Sequence, residues 1–307
     1  MAKPRSDLYY RLEYTAFRIV ETILKAMPIG AAIVIGRLIG YAWWFFDKRH
    51  RQIAHEHLLH AFGDKLTEAR RQEIIRGVYL HFVMVAVEVT KFAQVINRSN
   101  WRQHIDLRGK ERLDEALARG NGVVVVTGHL GNFELSSYIL NLSDPPMLAV
   151  GRQLDNPYLD KHLWASRERI GQRVINKRGG LRQMAMTLRR GEVIGFVADQ
   201  DAGKHGVFVD LFGREASTYP SFASLALRAK APIIPGYACR VGQPMRYRLY
   251  LDRPIEPVDT GDRERDIRNI LQEYNHRLEK YVTEFPEQWL WTYRRWKTRP
   301  PGEIENP

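Results

Sequence analysis

Cysteine is almost absent from this 307-residue chain, with Cys239 its one thiol. A single cysteine excludes an intrachain disulfide framework and a Cys-rich zinc site. Its setting, "IIPGYACRVG", reads as a buried strand. The 15 prolines form no low-complexity cluster. Also missing are a G-x-S-x-G nucleophile elbow, an A-x-A-like cleavage site behind the first apolar segment, any internal repeat and any recognised nucleic-acid-binding module. Negative charge is in deficit: 35 Asp+Glu against 47 Lys+Arg leave a formal charge of +12. Such a surface attracts anions, whether acidic lipid headgroups, an acidic carrier protein or nucleic acid, and the missing module argues against nucleic acid.

What is present is a globular composition, 44% hydrophobic and 27% charged, in a chain long enough for a large core. Residues 8–27, "LYYRLEYTAFRIVETILKAM", place Leu8, Leu12, Ala16, Ile19 and Ile23 at helical spacing, with Arg11, Arg18, Glu21 and Lys25 largely elsewhere on the wheel. Pro28 then interrupts. Residues 29–46, "IGAAIVIGRLIGYAWWFF", fall just short of the roughly 20 apolar residues that span a bilayer core. The aromatic cluster Trp43–Phe46, followed by Lys48, Arg49 and Arg51, has the character of an interfacial anchor with cationic flanks. The segment is expected to attach the protein to the cytoplasmic side of a membrane, either monotopically or by one short span. Two ordinary core helices would be the bland alternative.

The spacing predicts one or two helices over 64–96. From about residue 105 short apolar runs alternate with charged helical segments: "GVVVVTG", "PPMLAV", "RVINK", "EVIGFVAD" and "APIIPGYACR" read as strands, with a hairpin at "GVFVDLFG". The expected fold class is α/β, a largely parallel central sheet flanked by helices, behind an N-terminal helical membrane-anchoring segment. The expected organisation is anchoring helices over 1–50, a helical connecting region over 51–100 and an α/β body over 101–307.

The stretch "VVVVTGHLGNFE", 123–134, carries the candidate chemistry. In an open parallel sheet functional groups gather at the carboxyl ends of strands. His129 stands at such an exit, Gly128 and Gly131 allow a tight turn, Asn132 can cap the next helix, and Glu134 falls in that helix's first turn. A neutral imidazole is a suitable proton acceptor near pH 7, and a carboxylate on its far nitrogen fixes the tautomer. Ser136 and Ser137 lie on the following helix outside any nucleophile elbow. The pair therefore suits direct deprotonation of a substrate hydroxyl rather than a covalent intermediate. A strand-end histidine beside a solvated glutamate is the bland alternative. A metal reading would need a third ligand such as His162 or His205.

At these residues the sequence resembles the lipid A biosynthesis late acyltransferases, the bacterial lauroyl/myristoyl transferases within the wider His-x4-Asp/Glu glycerolipid acyltransferase superfamily. His129 and Glu134 stand at the motif positions. "RLEYTAFRIV" resembles the family's N-terminal anchor, and "GRQLDNPYLD" its Arg-x3-Asn-Pro block through Arg152, Asn156 and Pro157. "ADQDAGKHGVFVDLFGREASTYPSFASLA" and "PEQWLWTYRRWKTRP" resemble two further blocks, so the likeness runs in order along nearly the whole chain. Leu211 and Tyr293 depart from the pattern, standing where an aromatic and a histidine are usual.

The resemblance implies a membrane-bound O-acyltransferase at the cytoplasmic face of the bacterial inner membrane. It would move a fatty acyl chain from acyl carrier protein to a hydroxyl of a lipid A precursor. His129 would be the base oriented by Glu134, with no metal, nucleotide or redox cofactor required. Arg152 is a candidate for an acceptor phosphate or carboxylate, or for a structural ion pair. Asn132, Asn156, Asp199 and Gln200 are further substrate-binding candidates, with site ordering or turn formation as the other reading of Asp199 and Gln200. Arg294, Arg295 and Lys297 are candidates for docking carrier or lipid, or a solvated charge run. Two alternatives carry the same residues: an acyltransferase acting on a lysophospholipid or mannosylated phosphatidylinositol with acyl-CoA or carrier protein, and a non-catalytic membrane-associated binding protein.

Overall fold

The structure, a computed structural model, describes residues 5–143, 147–151, 153–169, 172–176 and 179–303. Four helices come first: α1 (Asp7–Ala26), α2 (Ile29–Phe46), α3 (Lys48–Phe62) and α4 (Glu68–Val95). Side-chain oxygens of Ser6, Asp47 and Thr67 accept the orphan amides that open α1, α3 and α4. Helix α2 is buried only at Ala32, Gly36 and Gly40, small residues one turn apart. They let it lie close against α4: a Cβ on Gly40 would stand 3.1 Å from the Leu80 Cα.

The remaining surface of α2 turns outward, with Leu38 63% and Phe46 78% exposed. On α1 Leu8, Leu12, Ile19 and Ile23 are exposed as well. Each such side chain left in water forgoes about 1.5–3 kcal/mol of burial energy. This face is therefore built to be covered by something apolar. By length and composition α2 is a candidate membrane anchor, whereas α4, which passes the same test, is half buried and serves as a core helix.

Beyond residue 100 come α5 (Trp101–His104), β1 (Ile105–Arg108), α6 (Lys110–Ala118), β2 (Val123–Thr127), α7 (Phe133–Ser143) and β3 (Met147–Gly151). Then follow α8 (Pro157–Arg169), β4 (Arg173–Asn176), α9 (Leu181–Arg189) and β5 (Val193–Val197). The hairpin β6 (Val207–Leu211) and β7 (Arg214–Thr218), α10 (Ser221–Ala229), β8 (Ile233–Arg240), β9 (Tyr247–Leu251) and α11 (Arg263–Glu284) complete the chain.

The main sheet has the order β1-β9-β8-β2-β5-β3-β4. Strands β8, β2, β5, β3 and β4 run parallel. Strand β9 turns back antiparallel on β8, and β1 follows β9's direction. The loop between β8 and β9 is too short for a crossover, so reversal is the only connection it allows. The valine strand β2 is buried at every residue. Val124 and Val126 pack on one sheet face with α9, α10, α11, α3 and the start of α4; Val123 and Val125 pack on the other with α6, α7 and the end of α4. The change of pattern near residue 100 is thus a change of element type within a core that α4 shares on both sides.

Candidate active site

β2 and β5 are neighbours in the sheet and end level with each other, Thr127 opposite Val197. Their exits bring together His129 and Asp199. The His129 Nδ1–H donates to Asp199 Oδ1 at 2.6 Å, and the His129 backbone N–H donates to Asp199 Oδ2 at 2.7 Å. Trp289 Nε1–H adds a second donor to Oδ2 at 2.8 Å. Gly128 makes this approach possible, since a Cβ there would lie 2.8 Å from Asp199 Oδ2. At Gly131, with φ +65°, a Cβ would lie 2.2 Å from the Ala238 carbonyl oxygen, so the turn tolerates no side chain.

The carboxylate on the imidazole is therefore Asp199, and the expectation that Glu134 fills that place is corrected. Glu134, in the first turn of α7, is held instead by Arg167 of α8, whose Nη2 lies 2.9 Å from each carboxylate oxygen. Glu134 projects outward from α7, where Arg167 of α8 meets it, whereas Asp199 follows β5, the parallel neighbour of β2. Glu134 still acts on His129 through its field. Burial pulls the imidazole pKa down, but the adjacent Asp199 and, more weakly, Glu134 outweigh it and hold it above the ordinary value. Burial pushes the Asp199 carboxyl up, yet the imidazole and the donors around it leave it below the usual carboxylate range.

With Nδ1–H committed to Asp199, Nε2 carries the lone pair. It lies 3.4 Å from the Gln200 amide nitrogen. Both residues line a cavity of about 460 Å³. Glu134, Arg167 and Ser136 supply its polar wall, and Val125, Met147, Val197 and Phe222 apolar ones. The Ser136 hydroxyl is buried without a hydrogen-bond partner among the described residues. An imidazole with a fixed tautomer, opening on a mostly apolar cavity, is equipped to deprotonate an alcohol next to a hydrocarbon chain.

Comparison with known proteins places the chain in a family. The family model for bacterial lipid A biosynthesis acyltransferases matches residues 3–298. This chain belongs to the bacterial lipid A biosynthesis acyltransferase family. It is 30% identical over 281 residues to the lipid A biosynthesis palmitoleoyltransferase of Escherichia coli K12, covering 90% of this chain and 88% of that one. Against the lauroyltransferase of the same organism identity is 27% over 284 residues, with 91% and 90% covered. A lipid A biosynthesis acyltransferase of Haemophilus influenzae is 26% identical over 258 residues, with 83% and 78% covered. The chain is an acyltransferase.

Within this family member the other expected site residues fall in different places. Gln200 lines the cavity beside the imidazole, while Arg152 lies outside the described residues. Asn132 is fully buried, its Nδ2 donating to Glu88 Oε2 at 3.2 Å on the far side of the turn, and so is withdrawn from substrate. Asn156 caps α8 through Oδ1 and ties it to α1 by donating to the Tyr10 carbonyl and Glu13. His162 is also an α1–α8 link, against Glu21 and Arg18. Arg295 is 1% exposed and donates to the Ser217 carbonyl and Thr218 Oγ1, which corrects its assignment to docking. Arg294 and Lys297 are exposed, Lys297 Nζ lying 3.6 Å from Asp201.

Sequence reasoning missed Trp289, which anchors Asp199, and Arg167, which takes Glu134. A signal for Asp199 existed: "EVIGFVAD" is a second apolar strand ending in a carboxylate.

Proposed function

We propose that the enzyme transfers a fatty acyl chain from an acyl-carrier-protein thioester to a hydroxyl of a lipid A precursor, at the cytoplasmic face of the inner membrane, with His129 as general base. The observation that carries this reading is the imidazole itself, locked on Asp199 by one nitrogen and presenting the other to the cavity. Nε2 takes the hydroxyl proton as the oxygen attacks the thioester carbonyl. The tetrahedral intermediate collapses, the C–S bond breaks, and the imidazolium returns its proton to the departing thiolate. Asp199 steadies the imidazolium between those two transfers.

The backbone N–H groups of Phe133 and Glu134 open α7 at the cavity with no acceptor among the described residues, and they are the donors we assign to the oxyanion. Ser136 makes no hydrogen bond to the imidazole, in keeping with direct transfer. Helix α1, with its exposed apolar face, is bonded to α8, and Leu163 and Trp164 of α8 line the cavity. A bilayer under α1 and α2 would thus bring a lipid acceptor close to the base.

The test is to incubate purified protein with dodecanoyl-carrier protein and a lipid A precursor and to read the lipid mass. The expected product is heavier by one acyl group, and His129→Ala should yield none while staying folded and vesicle-bound. An active, folded His129→Ala protein would overturn the mechanism.

A further inference from the structure

A second cavity, a groove of about 810 Å³, runs between α9 and α10. Leu188 and Leu225 form its buried floor, and Leu181 stands 59% exposed at its lip. Three arginines line it: Arg182 and Arg189, two turns apart on α9, and Arg228 in the last turn of α10. All three are exposed, and none makes an ion pair or hydrogen bond among the described residues. Elsewhere on the surface Arg70, Arg119 and Arg277 each reach a carboxylate. An apolar trough with an unneutralised cationic rim is complementary to an acidic protein surface bearing an apolar ridge.

Its position adds direction. Ser221, the first residue of α10, lines both this groove and the catalytic cavity. Helices α9 and α10 cover the sheet face packed by Val124 and Val126, whereas α8, to which α1 is bonded, lies over Gly151 on the opposite face. A water-soluble partner can therefore occupy the groove while the apolar face of α1 is covered.

We propose that the α9–α10 groove docks the acidic acyl carrier protein, its arginine rim pairing with carrier carboxylates and its Ser221 end admitting the thioester arm toward His129. This rests on the carrier-protein donor proposed above.

The experiment compares two donors, dodecanoyl-carrier protein and the carrier-free dodecanoyl thioester of N-acetylcysteamine, on wild type and on the triple variant R182E/R189E/R228E. With the carrier donor the variant's KM should rise about tenfold or more with kcat nearly unchanged, as expected when rim charges that steer encounter are reversed. Turnover of the small thioester and the thermal midpoint should not move. Raised salt should weaken carrier use by wild type and leave the variant nearly indifferent.

Equal carrier KM in both proteins would overturn the docking site while leaving the donor reading intact. A wild type that uses the small thioester but not the carrier would overturn both. Should the triple variant lose turnover of the small thioester too, the three single reversals decide, each expected to raise the carrier KM about twofold or more; no change in any would overturn the site. Flotation with phosphatidylglycerol vesicles should be unaffected, and loss of vesicle binding would reassign the arginines to lipid headgroups.

Discussion

His81 and His129 meet the same turn and sit in opposite electrostatic settings. His81, on α4, is fully enclosed: Nε2 lies 3.1 Å from the Gly131 carbonyl oxygen and Nδ1 lies 2.8 Å from Arg240 Nη1. That pattern needs a neutral ring donating from Nε2 and accepting at Nδ1. Burial, then the neighbouring Arg240, push its pKa well below the ordinary value. Arg240 is in turn held by Glu88, with two contacts of 2.6 Å. His129 has its carboxylate directly on the ring and a nitrogen left over for the cavity. Burial alone does not set the two rings apart; the sign of the nearest charge and a second ring nitrogen at the cavity, met by the Gln200 amide at 3.4 Å, do.

Asp199→Asn should lower kcat/KM by about 10²–10⁴-fold, the range for losing a positioned general base or its orienting carboxylate. Its pH profile carries the sign. With His129 as the proposed base, turnover requires the neutral imidazole, and the wild-type pKa is raised, so the acid limb of kcat/KM should fall above the ordinary histidine value of about 6.5. Removing the Asp199 charge should move that limb to lower pH even as the maximum drops. A limb that stays in place would mean that another group sets it.

Glu88→Ala leaves Arg240 buried without its carboxylate and should cost about 3–5 kcal/mol in urea unfolding, with the surviving folded fraction still active. Glu134→Gln releases Arg167 into the cavity wall and removes a charge that supports the imidazolium. An activity loss of about 10–10²-fold and a smaller downward shift of the acid limb are expected, because this carboxylate acts through space rather than through a bond. A loss equal to that of Asp199→Asn would mean that Glu134 meets the imidazole during turnover. His81→Gln should cost about 1–3 kcal/mol of stability, the range for a buried group left short of a partner, and leave the acid limb where it is.

The local patterns were legible. The valine run announced a buried strand, its exit announced His129, and the outward apolar residues of α1 and α2 matched the amphipathic and anchor-like segments read from spacing. The partner of His129 was not legible as such, because Asp199 lies 70 residues away and becomes a neighbour only when β5 pairs with β2. Arg294, Arg295 and Lys297 of the tail read as a solvated charge run or a docking patch, yet Arg295 is buried, as is Trp291, and Trp289 supports Asp199. Arginine-rich composition describes solvent preference on average, and the stem and fork of a single arginine can still be enclosed when backbone carbonyls meet it.

By itself the sequence determined the periodicities, hence the helices, the strands and the end of the sheet where chemistry gathers, since these follow from residues close in the chain. It also determined the family, through motifs kept in order. Only the folded arrangement decided which carboxylate holds His129, which histidine faces the cavity and which groove arginines lack a partner among the described residues. Those outcomes depend on strand order and on groups brought together across the sheet, and spacing along the chain carries no record of either.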